Sequence, residues 1–178
     1  MEPVAFGVTV PAYNTEPPFH PDARFPEARF AEVSPAPNWP YRLLRDLLLS
    51  LGLDRDHAGT ADWNPLRTLI QPGQTVLLKL NFVLSANDSG HDVFAMITHP
   101  SILRALVDYA FLALQGSGRV VIADVPQMDC DWDELMRVQR LDAVRDFYWS
   151  RFRFPVEIHD LRTFAVIDRR RPPLTENR

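Results

Sequence analysis

Cysteine is nearly absent from this sequence. Cys130 is the single cysteine among 178 residues, so the chain alone cannot form an intrachain disulfide, a four-thiolate zinc site or an iron–sulfur cluster. We therefore expect a reducing compartment and no iron–sulfur cluster within this chain. The start, Met1-Glu2-Pro3, lacks the basic and apolar regions of a secretory signal, and no apolar run approaches membrane-spanning length. The sequence predicts a cytoplasmic protein without a membrane partner.

An excess of positive charge is also lacking. The formal net charge is -4 and the pI is about 5.7, whereas nucleic-acid-binding modules usually carry a clustered basic face. The one basic cluster, Arg169-Arg170-Arg171, lies in a segment, 169–178, that we expect to be a flexible tail. Gly116-Ser117-Gly118 precedes a predicted strand instead of following one, so it does not match a nucleotide-binding glycine turn. We predict no nucleic-acid partner.

Apolar runs and helical stripes alternate along the chain, and the composition is ordinary for a globular protein. This pattern predicts a single α/β domain over 1–178, with a three-layer-like, mostly parallel open sheet and flanking helices. We expect the run at 75–79 to be a strand buried on both faces, and the first helix to cover one face of the sheet. The predicted strands are 4–10, 75–79, 119–123, 156–159 and 164–167, and the predicted helices are 41–51, 101–114 and 131–149.

Residues 11–40 form a long proline-rich arm in which helix is repeatedly blocked. We refer to this segment as the arm. Five aromatic residues in it predict that it packs across a surface. The five aromatic residues are Tyr13, Phe19, Phe25, Phe30 and Trp39.

Polar side chains occur where the two central strands are predicted to end. Lys79 closes the first strand and Asn81 follows it, Asp124 closes the second, and His99 precedes the helix between them. A strand–helix–strand path forces parallel pairing, and the carboxyl ends of parallel strands share one edge, where ligands usually bind. We therefore expect these four side chains to surround one site.

Each of these residues suits a different role. Lys79 could pair with a bound carboxylate or phosphate, and Asn81 could orient a ligand. Thr98 is the predicted N-cap of the helix, and free amides around Ser101 would then favour an anion. We therefore predict ligand binding by Lys79, Asn81, Thr98 and Ser101.

We predict catalytic roles for His99, as a proton carrier, and for Asp124, as an acceptor from a hydroxyl. Both have structural alternatives: His99 could bond a nearby backbone carbonyl, and Asp124 could cap the following loop. The carboxylates of Asp124 and Asp129 could hold Mg²⁺ or Ca²⁺. The alternative for Asp129, Asp131 and Asp133 is that they complement the start of a helix.

Three ordered motifs carry a resemblance to a known family. They are Lys79-Leu80-Asn81-Phe82-Val83, Thr98-His99-Pro100-Ser101 and Val120–Pro126. Through them the chain resembles the domain of unknown function 362 (DUF362) family. The resemblance is good over residues 72–127. Leu80 departs from the family's proline, and Cys130 cannot supply the cysteine clusters that some relatives carry. The resemblance implies that this chain is a fragment or short form of a longer member, and it supplies no activity.

The sequence thus predicts that a small anionic metabolite, with or without a divalent cation, binds at the C-terminal edge of the sheet. It does not distinguish a transfer reaction from a hydrolysis, nor does it establish that the chain is an enzyme. The main alternative is a non-catalytic interaction module that docks through the arm, as a homo-oligomer or onto a protein partner. An electron-transfer accessory is a weaker alternative, by family analogy alone.

Overall fold

The computed structural model describes residues 13–163, and its centre is a three-stranded parallel sheet. The strands are β1 (Thr75–Lys79), β2 (Arg119–Asp124) and β3 (Val156–Asp160), in the order β1-β2-β3. The α/β class and the parallel pairing of β1 with β2 are therefore confirmed. The strands predicted over 4–10 and 164–167, and the tail over 169–178, lie outside the described residues.

Residues 13–163 contain four α-helices beside the sheet: α1 (Trp39–Ser50), α2 (Pro100–Leu114), α3 (Trp132–Gln139) and α4 (Leu141–Phe152). α2 connects β1 to β2, and α3 with α4 connects β2 to β3, as parallel pairing requires. Within residues 13–163, no helix is long and apolar enough to cross a membrane.

One face of the sheet forms the main core. Val120, Ile122 and Val156 are buried there with side chains of α2 and α4. The prediction that β1 is buried on both faces is wrong, because exposed and half-buried residues alternate along it and Leu77 is 57% exposed. Residues 13–163 therefore leave the face that carries Leu77 open to solvent, and the second covering layer of a three-layer sheet is not among them.

α2 lies between the sheet and α1. Leu103 and Val107 face the sheet core, whereas Tyr109 and Leu112 join a second cluster with Leu48 of α1. The prediction that the first helix covers a sheet face is therefore corrected: α1 packs mainly on α2, one layer further out. Its leucine stripe needed an apolar partner, and the outer side of α2 provides it.

The helical segment predicted over 131–149 is two helices. Arg140 adopts a left-handed conformation, with φ of +50°, and this ends α3 and starts α4. The break lets the chain change direction without glycine or proline. It places both Leu135 and Val144 in the main core.

The N-terminal edge of the sheet is closely packed. The Gly73 N–H donates to the Ser117 carbonyl oxygen at 2.8 Å. A Cβ at Gly118 would lie 2.2 Å from the Gln74 carbonyl oxygen, and φ there is +108°, so only glycine fits. The C-terminal end of α2 therefore meets the N-terminal edge of the sheet, opposite the edge that carries Asp124.

Residues 13–38 of the arm contain turns and no helix or strand, whereas its last two residues, Trp39 and Pro40, belong to α1. The Asn38 side-chain amide donates to the Phe19 and His20 carbonyl oxygens, both at 3.0 Å. Phe19 and Phe30 are buried, at 2% and 8% exposed, while Tyr13 and Trp39 are more than 40% exposed. This segment packs against its own helices.

Candidate functional site

Lys79 and Asp124 meet at the C-terminal edge of the sheet. The Lys79 Nζ lies 2.7 Å from Asp124 Oδ1 and also donates to the Leu80 carbonyl oxygen at 2.6 Å. The Lys79 side chain is 65% exposed, whereas that of Asp124 is 3% exposed. Register explains the contact, because Lys79 pairs with Ala123 and its side chain can reach over the end of β2.

Both oxygens of the Asp124 carboxylate contact donors of this chain. Oδ1 accepts from the Val125 N–H at 2.7 Å, and Oδ2 accepts from the Phe82 N–H at 2.6 Å. Burial alone would raise the pKa of the Asp124 carboxyl, but the bonds from Lys79 and the two amides outweigh it and lower that pKa. Asp124 therefore stays ionised, and it caps the following loop, as the structural alternative predicted.

Asn81 connects the end of β1 to the start of α2. Its N–H donates to Thr98 Oγ1 at 3.2 Å, and its side-chain amide donates to the Met96 carbonyl oxygen at 2.8 Å. Asn81 is exposed, and within residues 13–163 its Oδ1 accepts no hydrogen bond. A ligand could therefore use that oxygen.

His99 is the N-cap of α2. Its Nδ1 accepts from the Ser101 N–H at 3.2 Å and lies 2.9 Å from Ser101 Oγ. Thr98 was the predicted cap, and that prediction is wrong by one residue. The Ile102 N–H donates to the His99 carbonyl oxygen, so the amides at Ser101 and Ile102, which we expected to be free for an anion, are already bonded.

Aromatic rings surround the His99 imidazole. Tyr13 stacks on it at 4.3 Å between ring centroids, and Phe94 lies at 4.5 Å. Burial lowers the pKa of His99 to about 4, so the ring is neutral near pH 7, with its proton on Nε2. In the described part of the chain, no hydrogen bond joins this ring to Lys79 or Asp124.

The acidic residues after β2 serve α3. Asp131 is its N-cap and accepts from the Glu134 N–H at 3.1 Å, and Asp133 lies in its first turn. Asp129 is exposed. Within residues 13–163, no three His, Cys, Asp or Glu side chains lie close enough together to hold a metal ion.

The structure thus brings part of the predicted site together. Lys79 and Asp124 form a direct ion pair, and Asn81 lies two residues beyond it. His99 lies at the same edge but faces the aromatic rings, and Ser101 is buried beneath it.

The residue type of Lys79 is informative in addition to its position at the end of a strand. Lys79 is the only lysine in the chain, whereas the other eighteen basic residues are arginines. An ammonium is a compact point charge with three donors, unlike the planar guanidinium. The one lysine therefore occupies the predicted ligand edge.

A buried polar network in α2 was not predicted. The Arg104 Nε lies 2.7 Å from Asp108 Oδ1, and the Tyr41 Oη donates to Asp108 Oδ2 at 2.8 Å. Tyr148 also donates to Asp108, and the Arg104 Nη1 donates to the Pro18 carbonyl oxygen at 2.9 Å. Arg104 and Asp108 are four residues apart, which is the spacing of an ordinary ion pair on an exposed helix face. Their burial follows from the packing of other elements on the outer side of α2, which the sequence does not show.

Gln139 is a second buried polar residue that the sequence did not single out. Its side-chain amide donates to the Thr98 carbonyl oxygen at 2.9 Å, and its Oε1 has no partner. This bond joins the end of α3 to the loop that enters α2. Gln139 therefore supports the edge from beneath without facing solvent.

Cys130 is buried beside this edge. Burial raises the pKa of its thiol to about 11, so the group is protonated near neutral pH. A protonated, fully buried thiol is a poor nucleophile. Cys130 therefore acts as a small apolar core residue here.

Two cavities lie away from this edge. One is a gap of about 10 Å³ beneath Phe25, Tyr41 and Tyr109, with room for a single water molecule. The other is an open groove of about 740 Å³ at the opposite end of α2. Neither is lined by Lys79 or Asp124.

Comparisons with protein-family models, with curated proteins and with solved structures found no match for this chain. The family resemblance of the three sequence motifs therefore stays a prediction. The residues themselves must support any functional conclusion.

Proposed function

We propose that this chain binds a small anionic metabolite at the C-terminal edge of its parallel sheet, with Lys79 as the counter-charge. The observation that carries the proposal is the position of the Lys79 ammonium. It is 65% exposed, yet it is held in place by a buried carboxylate 2.7 Å away. Two of its three N–H groups face Asp124 and Leu80, which leaves one for a ligand.

Preorganisation supports this role. A flexible lysine loses side-chain entropy when it binds a ligand, and the Asp124 pair has already removed much of that freedom. Asp124 is in turn fixed by the amides of Phe82 and Val125. The unused Oδ1 of Asn81 could accept a hydrogen bond from a hydroxyl of the same ligand.

Asp124 also sets a limit on the anion. Its negative charge partly neutralises the Lys79 ammonium and so weakens the attraction of that ammonium for an anion. An anionic ligand therefore binds more tightly if it also accepts hydrogen bonds from other donors or brings its own cation. This is the basis for including a divalent cation in the proposal, held by the ligand together with Asp129. Ligand binding by Thr98 and Ser101, and proton transfer by His99 in a transfer or hydrolysis reaction, stay predictions.

A thermal-shift screen tests this proposal. Phosphorylated and carboxylated metabolites are each added with and without Mg²⁺. At about a hundred times its dissociation constant, a ligand of the site should raise the melting temperature by roughly 5–10 °C. The effect should be lost in Lys79→Gln and kept in large part by Lys79→Arg.

Arg119→Gln is the matched control, because it removes one exposed cation from the N-terminal end of the same sheet face. It should leave the ligand-induced shift unchanged. A panel without any stabilising anion, or stabilisation that survives in Lys79→Gln, would reject the proposal.

The alternative, a non-catalytic module that docks through the arm, has less support. Phe19 and Phe30 contact the helices of this chain and are not free for a partner. Tyr13 and Trp39 are exposed, so they are the arm residues that such a partner could contact.

A further inference from the structure

A groove of about 740 Å³ lies at the C-terminal end of α2. Its walls come from the arm, from the loop after α1, from the end of α2 and from the last residue of α4. Strands of five or six residues place the two edges of the sheet roughly 15–20 Å apart. The groove is therefore separate from the site of the proposed function and does not depend on it.

Asn64 lines the groove, and its side chain carries an unused hydrogen-bond acceptor that is itself closed to solvent. The residue is 7% exposed, and its Oδ1 has no partner. Its Nδ2 faces the Leu112 carbonyl oxygen at 3.5 Å, and because a carbonyl cannot donate, the amide could not be turned around without repulsion. A buried acceptor without a partner is costly, and the 3.5 Å contact of Nδ2 holds the side chain only weakly. A ligand that donates to Oδ1 is therefore favoured once a small movement of the side chain exposes that atom.

The end of α2 adds to this demand for a donor. The last carbonyl groups of a helix carry partial negative charge. Gln115 caps α2 in a left-handed conformation, and it lines the groove with Gly116. Asp62 lines the same groove, and its backbone carbonyl oxygen accepts from the Arg67 Nη2 at 2.5 Å. A positively charged donor, such as an ammonium group, suits this side.

Two guanidinium groups provide the opposite charge. Arg67 is held by Asp54, 3.1 Å from its Oδ2, and lines the groove with Arg29. Arg29 is exposed and forms no ion pair within residues 13–163. Arginine binds a carboxylate through two parallel N–H donors, so this side suits a carboxylate.

The floor of the groove is apolar. Phe111 and Leu112 are about 95% buried, and Phe152 packs on Phe111 with ring centroids 4.8 Å apart. Such a floor favours a ligand with an apolar or aromatic body over a purely polar one.

We infer that this groove binds a free amino acid with an apolar side chain. The carboxylate pairs with Arg29 and Arg67, the ammonium faces Asn64 Oδ1 and the end of α2, and the side chain lies on Phe111 and Phe152. A simple organic anion would leave the Asn64 acceptor and the negative helix end unmatched, and a simple amine would leave both arginines unmatched.

Backbone amide NMR spectra of the full chain test this inference with three probes. L-Phenylalanine carries both charges, 3-phenylpropionate lacks the ammonium and 2-phenylethylamine lacks the carboxylate. L-Phenylalanine at up to about 10 mM would fill most of a site with a millimolar dissociation constant. It should shift the amides of Gln115 and Gly116 saturably, and each analogue should bind at least about tenfold more weakly.

Two variants complete the test. Arg29→Gln should weaken phenylalanine binding about tenfold, whereas Arg24→Gln, an exposed arginine of the same arm outside the groove, should not. Asn64→Ala should also lose binding. Because the Asn64 acceptor is unpaired, that variant should keep its midpoint of unfolding within a few degrees.

Several outcomes would overturn the inference: no saturable shift with phenylalanine, equal affinity for the three probes, or unchanged binding in Arg29→Gln. Lys79→Gln should bind phenylalanine normally. Failure here therefore leaves the proposed anion site untouched, and failure of that site leaves the groove untouched.

Discussion

Asp124 shows how one carboxylate holds two turns together. Its oxygens accept from the turn after β1, through Phe82, and from the turn after β2, through Val125. The same group orients the Lys79 ammonium. A buried charge with this many donors is stable only while all of them remain, so its loss should cost more than an ordinary surface carboxylate.

We predict that Asp124→Ala lowers the free energy of unfolding by about 3 kcal/mol, because the buried Phe82 N–H loses its acceptor. Asp124→Asn keeps one acceptor oxygen and should cost less. Urea denaturation measures both. Asp129→Ala, an exposed neighbour, is the control and should change stability by no more than about 0.5 kcal/mol. A similar loss in the control would contradict the role assigned to Asp124.

His99 predicts a pH dependence of stability. Its pKa is about 4 in the folded chain and 6.5 in the reference state, so between these values the unfolded chain binds the additional proton. Stability contributed by the neutral ring is therefore complete above about pH 6.5 and lost as the pH falls toward 4, by up to about 3 kcal/mol.

Urea denaturation from pH about 7 down to about 4.5 should show this loss, and His99→Asn should reduce the slope, since asparagine can cap α2 without titrating in this range. Burial also lowers the pKa of His20 to about 4, so a smaller slope should remain. An unchanged slope in His99→Asn would show that its burial does not control the titration.

At this scale, the sequence predicted positions better than contacts. Lys79 and Asp124 were expected to meet because both close strands that pair in parallel, and they do. The orientation of His99 depends on Tyr13 and Phe94, which lie in irregular segments. Neither segment has a periodic pattern, so that orientation could not be inferred.

At the scale of elements, the apolar stripes predicted the helices but not their partners. The leucines of α1 indicated a buried side, and that side meets α2 instead of the sheet. The break between α3 and α4 was missed because Arg140 is neither glycine nor proline. Positive φ at an arginine costs conformational free energy, which tertiary packing offsets. The periodicity of the sequence does not indicate such a position.

This break gives an element-scale prediction. Arg140→Gly should raise the free energy of unfolding by about 0.5–1 kcal/mol, because glycine adopts positive φ without a steric cost. Arg145→Gly is the control: it also removes an exposed arginine, but from the interior of α4, and should lower stability by about 1 kcal/mol. If both variants were destabilised equally in urea titrations, Arg140 would carry no backbone strain.

For the whole molecule, the alternation of strands and helices was sufficient to predict a parallel α/β sheet with Lys79 and Asp124 at one edge. The number of layers was not predictable, because a stripe of leucines does not reveal which surface it covers. The buried network of Arg104 and Asp108 was not predictable for the same reason. It lies where α2, the arm and α4 meet, and that meeting depends on the packing of the elements.

Because Lys79 is the single lysine, anion binding at this edge can be observed at that residue alone. Selective incorporation of ¹³C-labelled lysine places one labelled residue in the chain, Lys79, and its ¹³Cε signal can be followed during titration with inorganic phosphate, citrate and glucose 6-phosphate. Anion binding at Lys79 predicts a saturable shift of this signal with at least one of the anions, and no such shift with sodium chloride at matched ionic strength. A Lys79 signal that responds to these anions no more than to the chloride salt would contradict it.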